Sequence, residues 1–125
     1  MNKMPETKTE KLNGILEGLK KVGGIGGSMI VSRDGLKIAS DVSNIDADTF
    51  AAMTAAMQGA AETAATELNQ GEAGQIVIET TKGKIISVGA GKRAILVVMT
   101  GKKINLGLVL IEMGKCSEKI ANILK

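Results

Sequence analysis

Gln75-Ile76-Val77-Ile78-Glu79-Thr80, then Thr81-Lys82-Gly83, then Lys84-Ile85-Ile86-Ser87-Val88-Gly89 reads as two strands and the turn between them. A three-residue loop ending in glycine fits a type I turn followed by a bulge. Pairing Thr80 with Lys84 sets Ile78 opposite Ile86 and Ile76 opposite Val88, so all four aliphatics share one sheet face. Ala90-Gly91 turns the chain into a third strand over residues 93–100. Its centre, Ala94-Ile95-Leu96-Val97-Val98-Met99, is apolar at every position. A half-buried strand alternates. This one does not, so it belongs at the middle of a sheet covered on both faces.

The covering layers lie on either side in sequence. A long helix is expected over 47–69, with Asp46 as N-cap, Asp48 in the first turn and Gly71 beyond its end. Ile45 and Phe50 are spaced as a hydrophobic staple. Phe50, Met53, Met57, Ala60 or Ala61, Ala64 and Leu68 form an apolar stripe expected to lie on the sheet. Ala52, Ala55, Ala56, Gly59 and Thr63 are small and uncharged, where a solvated helix face carries Lys, Glu or Gln. Gly59 costs a helix interior about 0.5–1 kcal/mol relative to alanine. That cost points to close approach of another backbone. Upstream, strands at 29–32 and 36–40 flank the hairpin turn Arg33-Asp34-Gly35. A first helix is expected from about Pro5 to Val22, with Leu12, Ile15, Leu16, Leu19 and Val22 on one face. A last helix follows the N-cap Asn105, with Ile104 and Val109 as a staple. Its buried stripe is Val109, Leu110, Met113, Cys116, Ile120, Ile123 and Leu124. The order is α-β-β-α-β-β-β-α: an α+β chain with one five-stranded antiparallel sheet and helices on both faces. It is expected to form a single domain over 1–125, with residues 1–4 flexible.

Composition narrows the chemistry. The chain has 125 residues, 44% hydrophobic and 23% charged, with mean hydropathy +0.15. That is a globular balance. There is no histidine, one cysteine (Cys116) and one aromatic residue (Phe50). Imidazole bases, cysteine-based zinc sites, intramolecular disulfides and base-stacking platforms are therefore excluded. Ser28, Ser32, Ser40, Ser87 and Cys116 are the candidate nucleophiles, none with an evident base. Asp46 and Asp48 stand two apart and do not face each other on a helix. The glycines at 23–27 follow a helix and precede a strand, the reverse of a dinucleotide loop. Gly89-Ala90-Gly91-Lys92 lacks the upstream glycine of a Walker loop and has Arg93 in place of Ser or Thr. Gly114-Lys115-Cys116 fails in the same way. No catalytic residue, cofactor or metal is expected. The longest apolar run, residues 94–99, is far too short for a membrane span. The polar N-terminus lacks a signal-peptide stretch, and the lone cysteine fits a reducing compartment, so a cytoplasmic location is expected.

Charge is segregated. Residues 38–81 hold seven acids and no base, and residues 82–125 hold nine bases and two acids. The acidic middle excludes a uniformly basic surface, so no nucleic-acid partner is expected although the sequence pI is 9.1. Lys82, Lys84, Lys102 and Lys103 fall at one end of the strand meander, and Lys92 and Arg93 at the other. They read as solvated turn residues; a basic polyanion-binding module, or a membrane-surface contact, is the alternative.

Four stretches in this order resemble the Roadblock family of dynein light chains and their prokaryotic relatives. They are Gly23-Gly24-Ile25-Gly26-Gly27-Ser28-Met29-Ile30-Val31 leading into Arg33-Asp34-Gly35-Leu36, and the alanine-rich helix with Ala51-Ala52-Met53 and Ala60-Ala61-Glu62. The others are Gly83-Lys84-Ile85 before the run 94–99, and Asn105-Leu106-Gly107-Leu108-Val109. The resemblance implies a profilin-like or longin-like fold and pairing through sheet edges and long helices. It also implies a scaffold for small Ras-like GTPases, one bacterial branch being a GTPase-activating partner of a polarity GTPase. In the family's sheet order the strand at 75–80 is an edge, guarded only by Glu79. The expected dimer or partner interface is therefore Ala52, Ala55, Ala56, Gly59, Thr63, Gln75, Val77 and Glu79. Arg33 and Arg93 are the only arginines, and neither stands out as a finger toward a GTPase. A structural adaptor or motor-associated light chain is the alternative within the family.

Overall fold

Thr7 and Glu10 set where the first helix begins. The Thr7 hydroxyl accepts from the Glu10 amide at 3.1 Å, and the Glu10 carboxylate accepts from the Thr7 amide at 3.4 Å, a complete capping box. Helix α1 therefore spans Lys8–Lys20, later than the start expected at Pro5. The computed structural model describes residues 6–125, and the expectations for Pro5 and for residues 1–4 lie outside them. The remaining elements are β1 (Ile25–Ser32), β2 (Lys37–Asp41), α2 (Ala47–Glu67), β3 (Gln75–Glu79), β4 (Lys84–Ala90), β5 (Ala94–Thr100) and α3 (Leu106–Ile123). The element order is the expected one. β1 starts earlier than residue 29 and takes Gly26 and Gly27 into the sheet. Leu36 belongs to the turn, not to β2, and is exposed.

The sheet is antiparallel throughout, in the order β2-β1-β5-β4-β3. The non-alternating run becomes β5, the central strand, and β3 is an edge. The expected register of β3 on β4 is wrong by one residue. Glu79 pairs with Lys84, Ile78 with Ile85 and Val77 with Ile86. Thr80 leaves the strand to close the turn. Its amide donates to the Gly83 carbonyl at 2.7 Å, and its hydroxyl accepts from the Lys82 and Gly83 amides at 3.2 and 3.1 Å. A one-residue slip exchanges faces. Val77 thus joins Ile86 and Val88 on one side, while Ile76 and Ile78 turn to the other.

The two sheet faces are covered unequally. α1 and α3 together bury Leu12, Leu16, Leu19, Val109, Met113 and Ile120 against Ile30, Ile86, Leu96 and Val98. Asn105 caps α3 as expected, accepting from the Leu108 amide at 3.1 Å. α2 alone lies on the opposite face, placing Phe50 and Ala51 on Met29, Val31 and Val97. Strands lie about 4.8 Å apart and a helix is about 10 Å across, so one helix cannot cover five strands. The β3 side of that face stays open, and Ile78 is 36% exposed.

The apolar stripe assigned to the underside of α2 is also corrected. The buried residues are Phe50, Ala51, Thr54 and Gln58. Met53 and Leu68 are 61% and 68% exposed, Ala60 and Ala64 are exposed and Met57 is half-buried. Two polar side chains, Thr54 and Gln58, take the places expected for Met53 and Met57. Ile45 is exposed and joins neither core, so the staple with Phe50 does not form.

Candidate functional site

Alanine dominates α2, so its rotation about its own axis is set by its few polar anchors. Gln58 is fully buried, and its side-chain carbonyl accepts from the Ser87 hydroxyl on β4 at 2.7 Å. Its amide donates to Glu62 at 3.4 Å. Glu62 in turn receives both bonds of one Arg33 nitrogen, Nη1, at 2.9 and 2.8 Å. The other nitrogen, Nη2, donates to the Gly91 carbonyl at 2.8 Å. Gly89 leaves room for it, since a Cβ there would lie 3.0 Å from Nη2. The chain Ser87–Gln58–Glu62–Arg33–Gly91 joins β4, α2, the β1–β2 turn and the β4–β5 turn. Sequence reasoning passed over this network. The signal available was Glu62, the one charge between Asp48 and Glu67, with Gln58 one turn before it. Arg33 Nε and Thr54 Oγ1 are buried without partners among the described residues.

With Glu62 turned inward, the outer face of α2 carries no charge from Ala52 to Ala64. Ala52, Ala56, Gly59 and Thr63 are exposed on it, beside Met53 and Ala60. Ala55 is half-buried at the β1–β2 turn, where a Cβ on Gly35 would lie 3.5 Å from the Ala55 Cβ. A Cβ added at Gly59 would meet nothing within 4 Å among the described residues, so none of them requires that glycine.

Gln75 and Glu79 are exposed on β3, and Lys84 bridges Glu79 at 3.6 Å. Val77 points into the cluster under α1 and α3. Its contribution to any partner is its backbone along the open edge. The aliphatics of β3 that face the open region are Ile76 and Ile78, which the expected register set against the core.

Asp46 and Cys116 are explained by local structure. The Thr49 hydroxyl donates to Asp46 at 2.6 Å and holds that carboxyl below its ordinary range; no backbone amide bonds the Asp46 side chain as a cap. Burial pushes the Cys116 thiol up, away from thiolate character. Among the described residues no group of three or more acidic or cysteine side chains could hold a metal ion. No described helix is long and apolar enough to cross a membrane.

The Roadblock/LC7 domain model matches residues 11–100. Protein MJ1340 of Methanocaldococcus jannaschii is 47% identical over 107 residues, covering 85% of this chain and 93% of that one. Among solved structures, Myxococcus xanthus MglB is 27% identical with a TM-score of 0.85, covering 91% of this chain and 94% of that one. An MglB with a tetrameric arrangement is 21% identical with a TM-score of 0.86, over 96% and 92% of the two chains. Acanthamoeba castellanii profilin II shares the layering at a TM-score of 0.62, 19% identity and 93% and 98% coverage, which makes the fold profilin-like. This chain belongs to the Roadblock/LC7 family.

Proposed function

We propose that this Roadblock/LC7 chain is a cytoplasmic, non-catalytic homodimer that binds a small Ras-like GTPase and stimulates its GTP hydrolysis. The uncharged outer face of α2 carries the reading. A face of Ala52, Ala56, Gly59 and Thr63 has little reason to face water and admits a close backbone. Self-pairing uses the open β3 edge, with Ile76 and Ile78 beside it on the side that α2 leaves uncovered. An edge strand without proline or a bulge invites such pairing. The structural likeness to MglB and the GTPase-scaffold role implied by the family resemblance support the same reading. Arg33 has both terminal nitrogens engaged within the chain. Stimulation would therefore act by reshaping the GTPase's own residues, not by an Arg33 finger.

The test is sedimentation equilibrium of the chain, alone and with a Ras-like GTPase of the same genome, followed by single-turnover hydrolysis. A dimer that binds the GTP-loaded partner and speeds hydrolysis is expected. A monomer at all micromolar concentrations refutes the dimer, and no GTPase binding refutes the scaffold. Binding with an unchanged rate selects the second reading, an adaptor without activation.

A further inference from the structure

Three segments meet at the end of the sheet where β5 finishes. The Gly101 amide donates to the Gly24 carbonyl at 3.1 Å. Thr100 pairs with Ile25 on one side and Lys84 on the other. Gly83 lays the β3–β4 turn directly on the Thr100 carbonyl, where any Cβ would collide. Lys21, Lys82, Lys102 and Lys103 leave the chain within a few residues of these contacts, and all four are exposed. None forms an ion pair among the described residues. The acids Asp41 and Glu79 at this end are already matched, to Lys20 at 3.8 Å and Lys84 at 3.6 Å. Glu17 stands one helical turn before Lys21 in the same cleft, so the local surplus of positive charge rests on Lys82, Lys102 and Lys103, which the fold assembles from sequence positions far apart.

α3 starts from the same loop. Its outer face carries Leu108, 43% exposed, and Ile111, 59% exposed, one turn apart and on the same side. Gly107 precedes them, and a Cβ at Gly114 would meet nothing within 4 Å, so bulky polar side chains do not screen the pair at those positions. No acidic residue stands in the first turn of α3.

We propose that this end of the molecule docks on an anionic phospholipid bilayer. Lys21, Lys82, Lys102 and Lys103 face the headgroups, and Leu108 and Ile111 enter the headgroup–acyl boundary. Basic residues beside exposed aliphatics are what an anionic bilayer surface recognises, through charge and apolar burial together. A nucleic acid would satisfy the lysines but leave the two aliphatics in water. It would also find no stacking platform, because Phe50, the only aromatic residue, is buried under α2. α3 lies on the opposite sheet face from α2, so a docked molecule keeps the α2 surface free. The proposal does not depend on a GTPase partner.

The experiment is co-sedimentation of the full chain with vesicles of phosphatidylcholine alone, or mixed with phosphatidylglycerol. Binding to the mixed vesicles only is expected, with release at about 1 M salt, where the Debye length falls to about 3 Å. Each of Lys82→Gln, Lys102→Gln and Lys103→Gln should lower the partition roughly fivefold, the value of about 1 kcal/mol per lysine at such a surface. Leu108→Ser with Ile111→Ser should lower it further and leave the circular dichroism unchanged, since both side chains are exposed. Absence of binding to mixed vesicles at low salt overturns the proposal. So does binding that ignores either set of substitutions, or capture of duplex DNA as tight as that of vesicles and indifferent to Leu108 and Ile111.

Discussion

The two faces of the sheet are built to different standards. Under α1 and α3, fourteen buried side chains form one aliphatic cluster, whereas the cluster under α2 has five among the described residues. The first face is packed by two helices, and Ile38 and Val77 on its edge strands are partly buried against the cluster. The second relies on a hydrogen-bonded chain through Gln58 and Glu62, and leaves Met53, Leu68 and Ile78 in solvent. A face that only had to fold would be closed like the first. The contrast places most of the apolar burial on one side of the sheet and leaves the other as the side on which the proposed assembly is to be tested.

The contrast breaks most visibly if core truncations cost the same on both sides. Leu16→Ala, under the α1–α3 face, should lose about 3 kcal/mol in urea unfolding, within the 2–5 kcal/mol of buried leucine deletions. Met53→Ala should stay within about 0.5 kcal/mol in the monomer. Next, Gln58→Ala strands the buried Ser87 hydroxyl, and should cost about 2–3 kcal/mol by the same assay. A cost near zero would mean that the network does not hold α2 in place. Gly59 then separates folding from pairing. Gly59→Ala should stabilise the monomer by about 0.5–1 kcal/mol, because the added Cβ finds open space. Gly59→Lys should stabilise the monomer by nearly as much as Gly59→Ala, yet weaken the proposed dimer by about 2 kcal/mol, roughly thirtyfold in the dissociation constant. An unchanged dimer constant would turn that face to solvent. Thr54→Val removes a buried, unpartnered hydroxyl and should be neutral or stabilising by up to about 1 kcal/mol. The smallest effect concerns Cys116. Its thiol is held protonated by burial, so alkylation by iodoacetamide at pH 8 should be slower than in the unfolded chain, and equal rates would place it in open solvent.

What the sequence revealed and what it concealed divide along the same line. The non-alternating residues 94–99, the Asn105 cap and the order of elements were legible because each depends on near neighbours or on a strong apolar run. The register of β3 was not. It depends on the Thr80 hydroxyl capping its own turn, which competes with strand pairing by only a hydrogen bond or two. The rotation of α2 was hidden for a related reason. A helix of alanines has little contrast between its faces, so Met53 and Met57 drew the stripe to themselves. The true anchor, Gln58, acquires meaning only from Ser87, twenty-nine residues away on β4. Ala52, Ala56, Gly59 and Thr63 could still be picked out as an unusual surface, because lack of charge is readable without knowing the rotation.

The central position of β5 has a consequence for synthesis. β1 with β2, and β3 with β4, are hairpins of neighbouring sequence, but only β5 joins them, as in the pairing of Ile30 with Leu96. On a ribosome adding about 5–20 residues per second, the sequences of both hairpins are made before the strand that unites them, and neither hairpin alone is more than marginally stable. Until residues 94–100 emerge, β1 and β4 each present a bare inner edge, and a chain stopped before Ala94 can never close its sheet. The nascent protein passes from two separate pieces to one at a late and narrow point in its translation, and any factor that shields unpaired strands has its task concentrated there.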